Sequence, residues 1–201
     1  MVTAAILAGG RATRLGGGDK SALLIGGVSV LERQVSLLRH IASHVVIIAD
    51  DARRFAHAGV PVLADRHGQC GPLGGLHTAL RESPSSHVLV VACDLPFLTR
   101  SFLTHLTGLC ADVDAVVPRD ATGPHPLCAV YASRLAPHLE RRLDAGLRKM
   151  TDLLATLTVY DVGPDALAPF DPDGDLLTNL NTPEDYERAR TRAAVPAPVR
   201  A

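Results

Sequence analysis

Leu7-Ala8-Gly9-Gly10-Arg11-Ala12-Thr13-Arg14-Leu15-Gly16-Gly17-Gly18-Asp19-Lys20 begins at the end of an apolar run and closes on a cation. Residues 2–7 are almost wholly apolar and read as a buried strand opening the fold. That strand empties into a loop with five glycines, whose missing side chains let backbone N–H groups come close to an anion. Arg11, Arg14 and Lys20 add positive charge, so the loop fits a polyphosphate. It is not a Walker A loop, which needs Gly directly before Lys-Ser/Thr, because Asp19 separates Gly18 from Lys20-Ser21. Nor does the G-x-G-x-x-G dinucleotide fingerprint match between Gly9 and Gly18. A plain surface loop is the remaining alternative, although three cations behind a first strand exceed what a linker needs.

Outward from this loop the pattern alternates strand and helix. Ser29-Val30-Leu31-Glu32 is a capping box opening a helix through about residue 41, with Leu31, Val35, Leu38 and Ile41 on one face. Residues 44–49, 60–64 and 87–92 are apolar runs expected as further strands. This order predicts parallel crossovers and a doubly wound, mostly parallel α/β sheet with helices on both faces. Pro72 starts a helix to about residue 81 that contains Gly74 and Gly75. Each glycine costs about 1 kcal/mol relative to Ala inside a helix, so something approaches the backbone there: a ligand, or a tightly packed sheet.

The strand at 87–92 runs into Cys93-Asp94-Leu95-Pro96. A carboxylate at the end of a buried strand points into the crevice where open α/β sheets bind ligands. Asp94 is therefore a candidate metal ligand, with capping of the next turn as the rival role. Magnesium prefers one or two carboxylates plus substrate phosphates, so one Asp suffices.

Further on, residues 99–109 read as a surface helix, 114–117 as a strand, 119–123 as a polar loop and 125–131 as a return into the sheet. Two helical pieces, 134–144 and 147–154, flank Gly146. Arg148 and Lys149 at the start of the second oppose the helix dipole and suit an anion-facing site, or else a solvated face. Residues 156–162 are a late strand and 161–174 a Pro-, Gly- and Asp-rich loop. Asn179-Leu180-Asn181-Thr182-Pro183-Glu184-Asp185 opens a last helix, with Thr182 as cap. One domain is expected over residues 1–192, followed by a disordered Pro- and Ala-rich tail over 193–201.

A formal charge of −1 argues against a global field attracting nucleic acid or anionic lipid, and 3% aromatic residues without Trp argue against a base-stacking surface. Cys70, Cys93, Cys110 and Cys128 are scattered, without zinc-type pairs, and read as reduced residues. Met1 leads straight into the first strand and no apolar run spans a bilayer, so no membrane association and a cytoplasmic location are expected.

The loop from Leu7 to Lys20 resembles the signature loop of nucleotidyltransferases with the glycosyltransferase-A-like fold, the Rossmann-like nucleotide-diphospho-sugar transferase type. Its spacing is most similar to that of the molybdenum cofactor guanylyltransferases. Gly71-Pro72-Leu73-Gly74-Gly75, His125-Pro126-Leu127 and the N-x-N-T-P-E-D string from Asn179 resemble further segments of that family. The resemblance implies transfer of GMP from GTP to molybdopterin carrying molybdenum, with Mg²⁺. It implies nucleotide contacts from Leu7, Ala8, Gly9 and Gly10, phosphate contacts from Lys20, a nucleoside contact from Asp65, and an Asp94 that meets both nucleotide and Mg²⁺. Arg14, Lys20 and Asp94 are the catalytic candidates. Arg148, Lys149, Asn179 and Asn181 are candidates for the acceptor, Asn181 also lying near metal and phosphates by resemblance. A molybdoenzyme or its chaperone is the implied recipient of the product.

The residues themselves suit transfer of a nucleoside monophosphate to a phosphate acceptor, because a phosphate monoester has a second pKa of about 6 and needs no general base. His125 and Asp65 are the exceptions available if a base is used. Where the family's second strand ends in a guanine-binding Asn, this chain has Ala49-Asp50. Base choice therefore stays open, with a cytidylyltransferase on the same pterin, a sugar-phosphate nucleotidyltransferase and a non-catalytic nucleotide-binding module as alternatives.

Overall fold

The computed structural model describes residues 1–8, 20–68, 70–110 and 112–194. The sites expected at Gly9, Gly10 and Arg14, and the Lys20 side chain, lie outside the described residues. The first strand, β1 (Thr3–Leu7), is followed by a small hairpin of β2 (Leu24–Ile25) and β3 (Val28–Ser29). Helix α1 (Val30–Leu38) starts on a reciprocal cap: the Ser29 hydroxyl accepts from Glu32 N while the Glu32 carboxylate accepts from Ser29 N. Next come β4 (His44–Ala49), β5 (Val62–Ala64), α2 (Pro72–Glu82), β6 (His87–Ala92) and α3 (Arg100–Gly108). The second half holds β7 (Ala115–Asp120), β8 (Gly123–Pro124), β9 (Cys128–Ala132), α4 (Ala136–Asp144) and α5 (Met150–Leu154). It ends with β10 (Val159–Val162), α6 (Pro164–Leu167) and α7 (Pro183–Ala194).

The main sheet runs β5-β4-β1-β6-β9-β7-β10, with β8 paired to β7. Strand β1 lies parallel to both β4 and β6, with Leu7 opposite Ile48 on one side and Ala92 on the other. The chain steps from β1 outward to β4 and β5, then back across to β6, so the order reverses beside β1. The sheet is parallel except for β9, antiparallel to both β6 and β7, and the short β8. Alternate strand residues feed opposite layers, as the pleat requires. Ala4 and Ile6 pack with Leu31, Val35 and Leu38 of α1 and with Phe102, Leu103 and Leu106 of α3. Ala5 and Leu7 pack with Leu73, Leu76 and Leu80 of α2, Leu139 and Leu143 of α4, and Met150 and Leu153 of α5. A third, smaller cluster of Ile25, Val30, Leu180 and Ala189 ties α7 to the β2–β3 hairpin.

The expected doubly wound, mostly parallel sheet is the fold observed, and four local expectations are revised. Helix α1 stops at Leu38, because His40 N and Ile41 N turn to the carbonyls of Leu37 and Leu38 and tighten the last turn. The polar loop at 119–123 is instead a hairpin: Asp120 Oδ1 accepts both the N–H and the hydroxyl of Thr122, and Gly123 sits at φ +124°. The second helical piece begins at Met150, three residues late, since Lys149 is extended at φ −78°, ψ 129°. Arg148 and Lys149 thus precede α5 rather than opposing its dipole from within. Helix α7 runs to Ala194, past the expected start of the tail at 193; residues 195–201 lie outside the described residues.

None of the four cysteines is in a disulfide among the described residues, and burial pushes the Cys128 thiol up to about 12. Among the described residues no helix is long and apolar enough to cross a membrane.

Candidate active site

Four of the expected residues gather along the carboxyl edge of the sheet. Leu7 ends β1 and Ala8 continues its ladder, donating to Ile48 O at 2.8 Å. On the other flank Cys93 N donates to Leu7 O at 3.2 Å, which makes the turn carrying Asp94 a hydrogen-bonded neighbour of β1. Asp65 N donates to Ala49 O at 3.0 Å and so stands just past the end of β5 at the same edge. Asp50, one residue beyond β4, is exposed there.

The Asp94 turn is held from two further directions. Gln34 of α1 is 2% exposed, and its amide nitrogen donates to Ala92 O at 2.8 Å and Leu95 O at 3.0 Å, bridging the turn from below. Leu180 N donates to Asp94 O at 2.9 Å, so the Asn179-Leu180-Asn181 string runs beside the turn. Leu180 is itself buried, and its apolar anchorage leaves Asn179 and Asn181 exposed on either side. Thr182 then caps α7: its hydroxyl accepts from Asp185 N at 3.1 Å, while Asp185 Oδ2 accepts from Asn181 N and Thr182 N at 3.0 and 2.9 Å. Desolvation works to raise the Asp185 carboxyl, but these donors and Arg188 outweigh it and hold it below the usual carboxylate value.

Asp65 is positioned just as closely. Its Oδ1 accepts from His67 N at 2.9 Å and from the Thr78 hydroxyl of α2 at 3.2 Å. A Cβ at Gly74 would stand 3.0 Å from Asp65 Oδ2 and 3.0 Å from His67 O, and one at Gly75 would stand 3.3 Å from the Leu7 side chain. Both glycines thus accommodate close packing within the protein, Gly75 against β1 and Gly74 against the Asp65 loop.

Arg148 and Lys149 are exposed on the stretch before α5, in the layer of α2 and α4. Asn179 and Asn181 belong to the opposite side, next to the α1 layer and the β2–β3 hairpin. The acceptor candidates therefore come from both faces of the sheet rather than from one patch. Sequence reasoning overlooked Gln34, whose signal was a polar residue within the apolar face set by Leu31, Val35 and Leu38. It also left unpaired the partners Asp120 and His125, whose carboxylate Oδ2 and ring Nε2 stand 2.8 Å apart. Among the described residues no three His, Cys, Asp or Glu side chains form a metal cage.

The model of the MobA-like NTP transferase domain matches residues 4–159. The molybdenum cofactor guanylyltransferase of Desulfosudis oleivorans is 32% identical over 189 residues, covering 94% of this chain and 94% of that protein. The chain belongs to the molybdenum cofactor guanylyltransferase family. Membership makes it a nucleotidyltransferase, with the transferase and molybdenum cofactor assignments carried by its relatives. The probable molybdenum cofactor guanylyltransferase of Chloroflexus aggregans is 35% identical, covering 93% of this chain and 92% of that one. The crystal structure of molybdopterin-guanine dinucleotide biosynthesis protein A from Archaeoglobus fulgidus superposes with a TM-score of 0.83 at 29% identity, over 96% of this chain and 98% of that one. Helix α7 and its Asn-rich lead-in fall outside the matched family domain, which ends at residue 159.

Proposed function

We propose that the chain transfers the GMP moiety of GTP to the phosphate of molybdenum-bound molybdopterin, giving the guanine dinucleotide form of the cofactor and pyrophosphate. An oxygen of the acceptor phosphate bonds to the α-phosphorus as the bond from that phosphorus to the bridging oxygen breaks, and the electron pair leaves on pyrophosphate. The acceptor is largely dianionic at neutral pH and attacks without a general base.

Leu7, Ala8, Gly9 and Gly10 contact the nucleotide, and Asp65, fixed by Thr78 and the His67 amide, meets the nucleoside. Arg14, Lys20 and the loop amides neutralise the triphosphate and the charge that grows on the leaving group. Asn179, Asn181, Arg148 and Lys149 contact the acceptor. Asp94 fits Mg²⁺ by donor chemistry: it offers hard carboxylate oxygen beside the phosphate loop's strand, and magnesium takes few protein ligands when substrate phosphates supply the rest. When bound, the ion makes the α-phosphorus more electrophilic and offsets charge on pyrophosphate. The working unit is one domain over residues 1–192, acting in the cytoplasm and passing its product to a molybdoenzyme or its chaperone.

The observation that carries this reading is the hydrogen bond from Cys93 N to Leu7 O. It joins the strand feeding the phosphate loop to the turn bearing Asp94 beside the point where strand order reverses, which is where open α/β sheets hold ligands. The deciding experiment measures pyrophosphate release from ATP, CTP, GTP and UTP with molybdenum-bound molybdopterin. Turnover with GTP is expected; turnover with CTP alone overturns the base assignment, and no turnover with any nucleotide overturns the enzyme. Asp94→Ala is expected to abolish turnover at limiting Mg²⁺, and full retained activity there would remove the metal role.

A further inference from the structure

The carboxyl edge continues past Asp94 on the side away from Asp65. Ala92 N donates to Leu127 O at 2.7 Å, so the His125-Pro126-Leu127 segment adjoins the end of β6 two residues before Asp94. This segment is tightly held: His125 N donates to Pro118 O at 2.8 Å, Cys128 N to His125 O at 3.0 Å, and the buried Tyr131 hydroxyl to Pro126 O at 2.8 Å. Its histidine is then oriented by a carboxylate, with Nε2 standing 2.8 Å from Asp120 Oδ2. The other oxygen of Asp120 is fixed by the amide and hydroxyl of Thr122, both at 2.7 Å. The His125 side chain is 17% exposed and its Nε2 is buried against Asp120, which leaves Nδ1 as the ring nitrogen available to a ligand. With both ring nitrogens protonated, an imidazole held against a carboxylate at Nε2 keeps its second N–H, at Nδ1, for a ligand.

We infer that the Asp120–His125 pair is the subsite for the phosphate monoester of the acceptor, His125 donating from Nδ1 to a phosphate oxygen and Asp120 acting as its positioning residue. The inference rests on the proposed transfer to a phosphate acceptor and names the residue that receives that phosphate. The strand order supports it: the nucleotide candidates lie on β1 and β5, Asp94 follows β6, and the pair sits on the β9–β7 side. In-line attack brings the acceptor oxygen to the α-phosphorus from the side opposite the leaving pyrophosphate. Here the two sides of Asp94 are furnished differently, one by the end of β1 at Leu7 and the other by the imidazole of His125. Desolvation acts to raise the Asp120 carboxyl, yet the Thr122 and His125 donors outweigh it and keep it below the usual value, so the carboxylate stays charged behind the ring.

The test is steady-state kinetics on His125→Ala and Asp120→Asn, varying GTP and molybdenum-bound molybdopterin separately. Loss of a charge-assisted hydrogen bond raises the KM for the acceptor about 10- to 100-fold in His125→Ala, with a smaller rise in Asp120→Asn and the KM for GTP unchanged in both. An unchanged acceptor KM, or an equal rise for both substrates, overturns the inference. Circular dichroism confirms that each variant is folded, and Asp120→Asn decides the matter should His125→Ala fail to fold. If the wild-type protein transfers nothing to molybdopterin, the proposed function fails, and the subsite is judged separately by ¹⁵N NMR. Inorganic phosphate added to the GTP-bound wild-type protein should then move the His125 ring nitrogens, and no movement rejects the subsite.

Discussion

Gln34 holds its amide under the Asp94 turn from inside an otherwise apolar helix face, a position from which its loss is expected to lower both activity and stability. Gln34→Leu keeps the helix pattern but strands the carbonyls of Ala92 and Leu95 without their donor. A loss of about 1–3 kcal/mol is expected for such buried groups, together with a fall in kcat as the turn loosens. Chemical denaturation and steady-state assays check it, and unchanged stability would show that the carbonyls find other donors. His77 is the opposite case. It is 1% exposed, and neither ring nitrogen has a hydrogen-bond partner among the described residues. Desolvation first, then the neighbouring His67 with its ring centroid 4.7 Å away, lowers it from the ordinary 6.5. The unfolded chain therefore binds a proton below 6.5 that the folded protein refuses until lower pH, so stability is complete above 6.5 and falls as the pH drops from there toward the lowered value. His77→Leu should raise stability by about 1 kcal/mol at neutral pH and flatten this acid slope. Denaturant melts at about pH 8 and about pH 5.5 measure both effects, and an unchanged slope would assign the acid loss to other groups.

At the scale of elements, the Thr182 cap links the start of α7 to the Asp94 turn through Leu180. Asp185→Ala removes the carboxylate that accepts from Asn181 N and Thr182 N, at an expected cost of about 1–2 kcal/mol. Amide exchange of Leu180, whose N–H bonds Asp94 O, should quicken in that variant before exchange in β6 does. Uniform acceleration would mean the string is not an independent unit. The same elements show what a sequence exposes and what it hides. The strands at 44–49 and 87–92 match their apolar runs residue for residue, because parallel strands covered on both faces leave an unbroken hydrophobic signature. The Ser29 and Thr182 caps were readable because their partners lie three residues away. The Asp120–His125 pair is local in sequence as well, yet its hairpin depends on Gly123 and on β8 pairing back to β7, which a two-residue strand does not announce. Gln34 was hidden for another reason: a polar residue on an apolar stripe shows that something needs it, while its partners, 58 and 61 positions away, follow from the tertiary fold.

Across the whole molecule, the sheet separates the two halves of the proposed site. Asp65 follows β5 and Asp120 ends β7, five strands apart in the order β5-β4-β1-β6-β9-β7. At about 4.8 Å per strand they stand about 24 Å from each other, beyond the roughly 10 Å within which substitutions usually couple. In the proposed site each acts through its own substrate, Asp65 through the nucleoside and Asp120 through His125 and the acceptor phosphate. Asp65→Ala should therefore raise the KM for GTP about tenfold and leave that for the acceptor unchanged, while Asp120→Asn does the reverse. The double variant should show both increases multiplied, with an interaction energy within about 0.5 kcal/mol of zero. Coupling well beyond that would mean the halves close on one another when substrates bind, so that the β1–β6 junction acts as a hinge rather than a rigid divider. A complete double-variant cycle with both substrates varied distinguishes these outcomes, because a hinge raises both Michaelis constants in each single variant whereas a rigid edge keeps them apart.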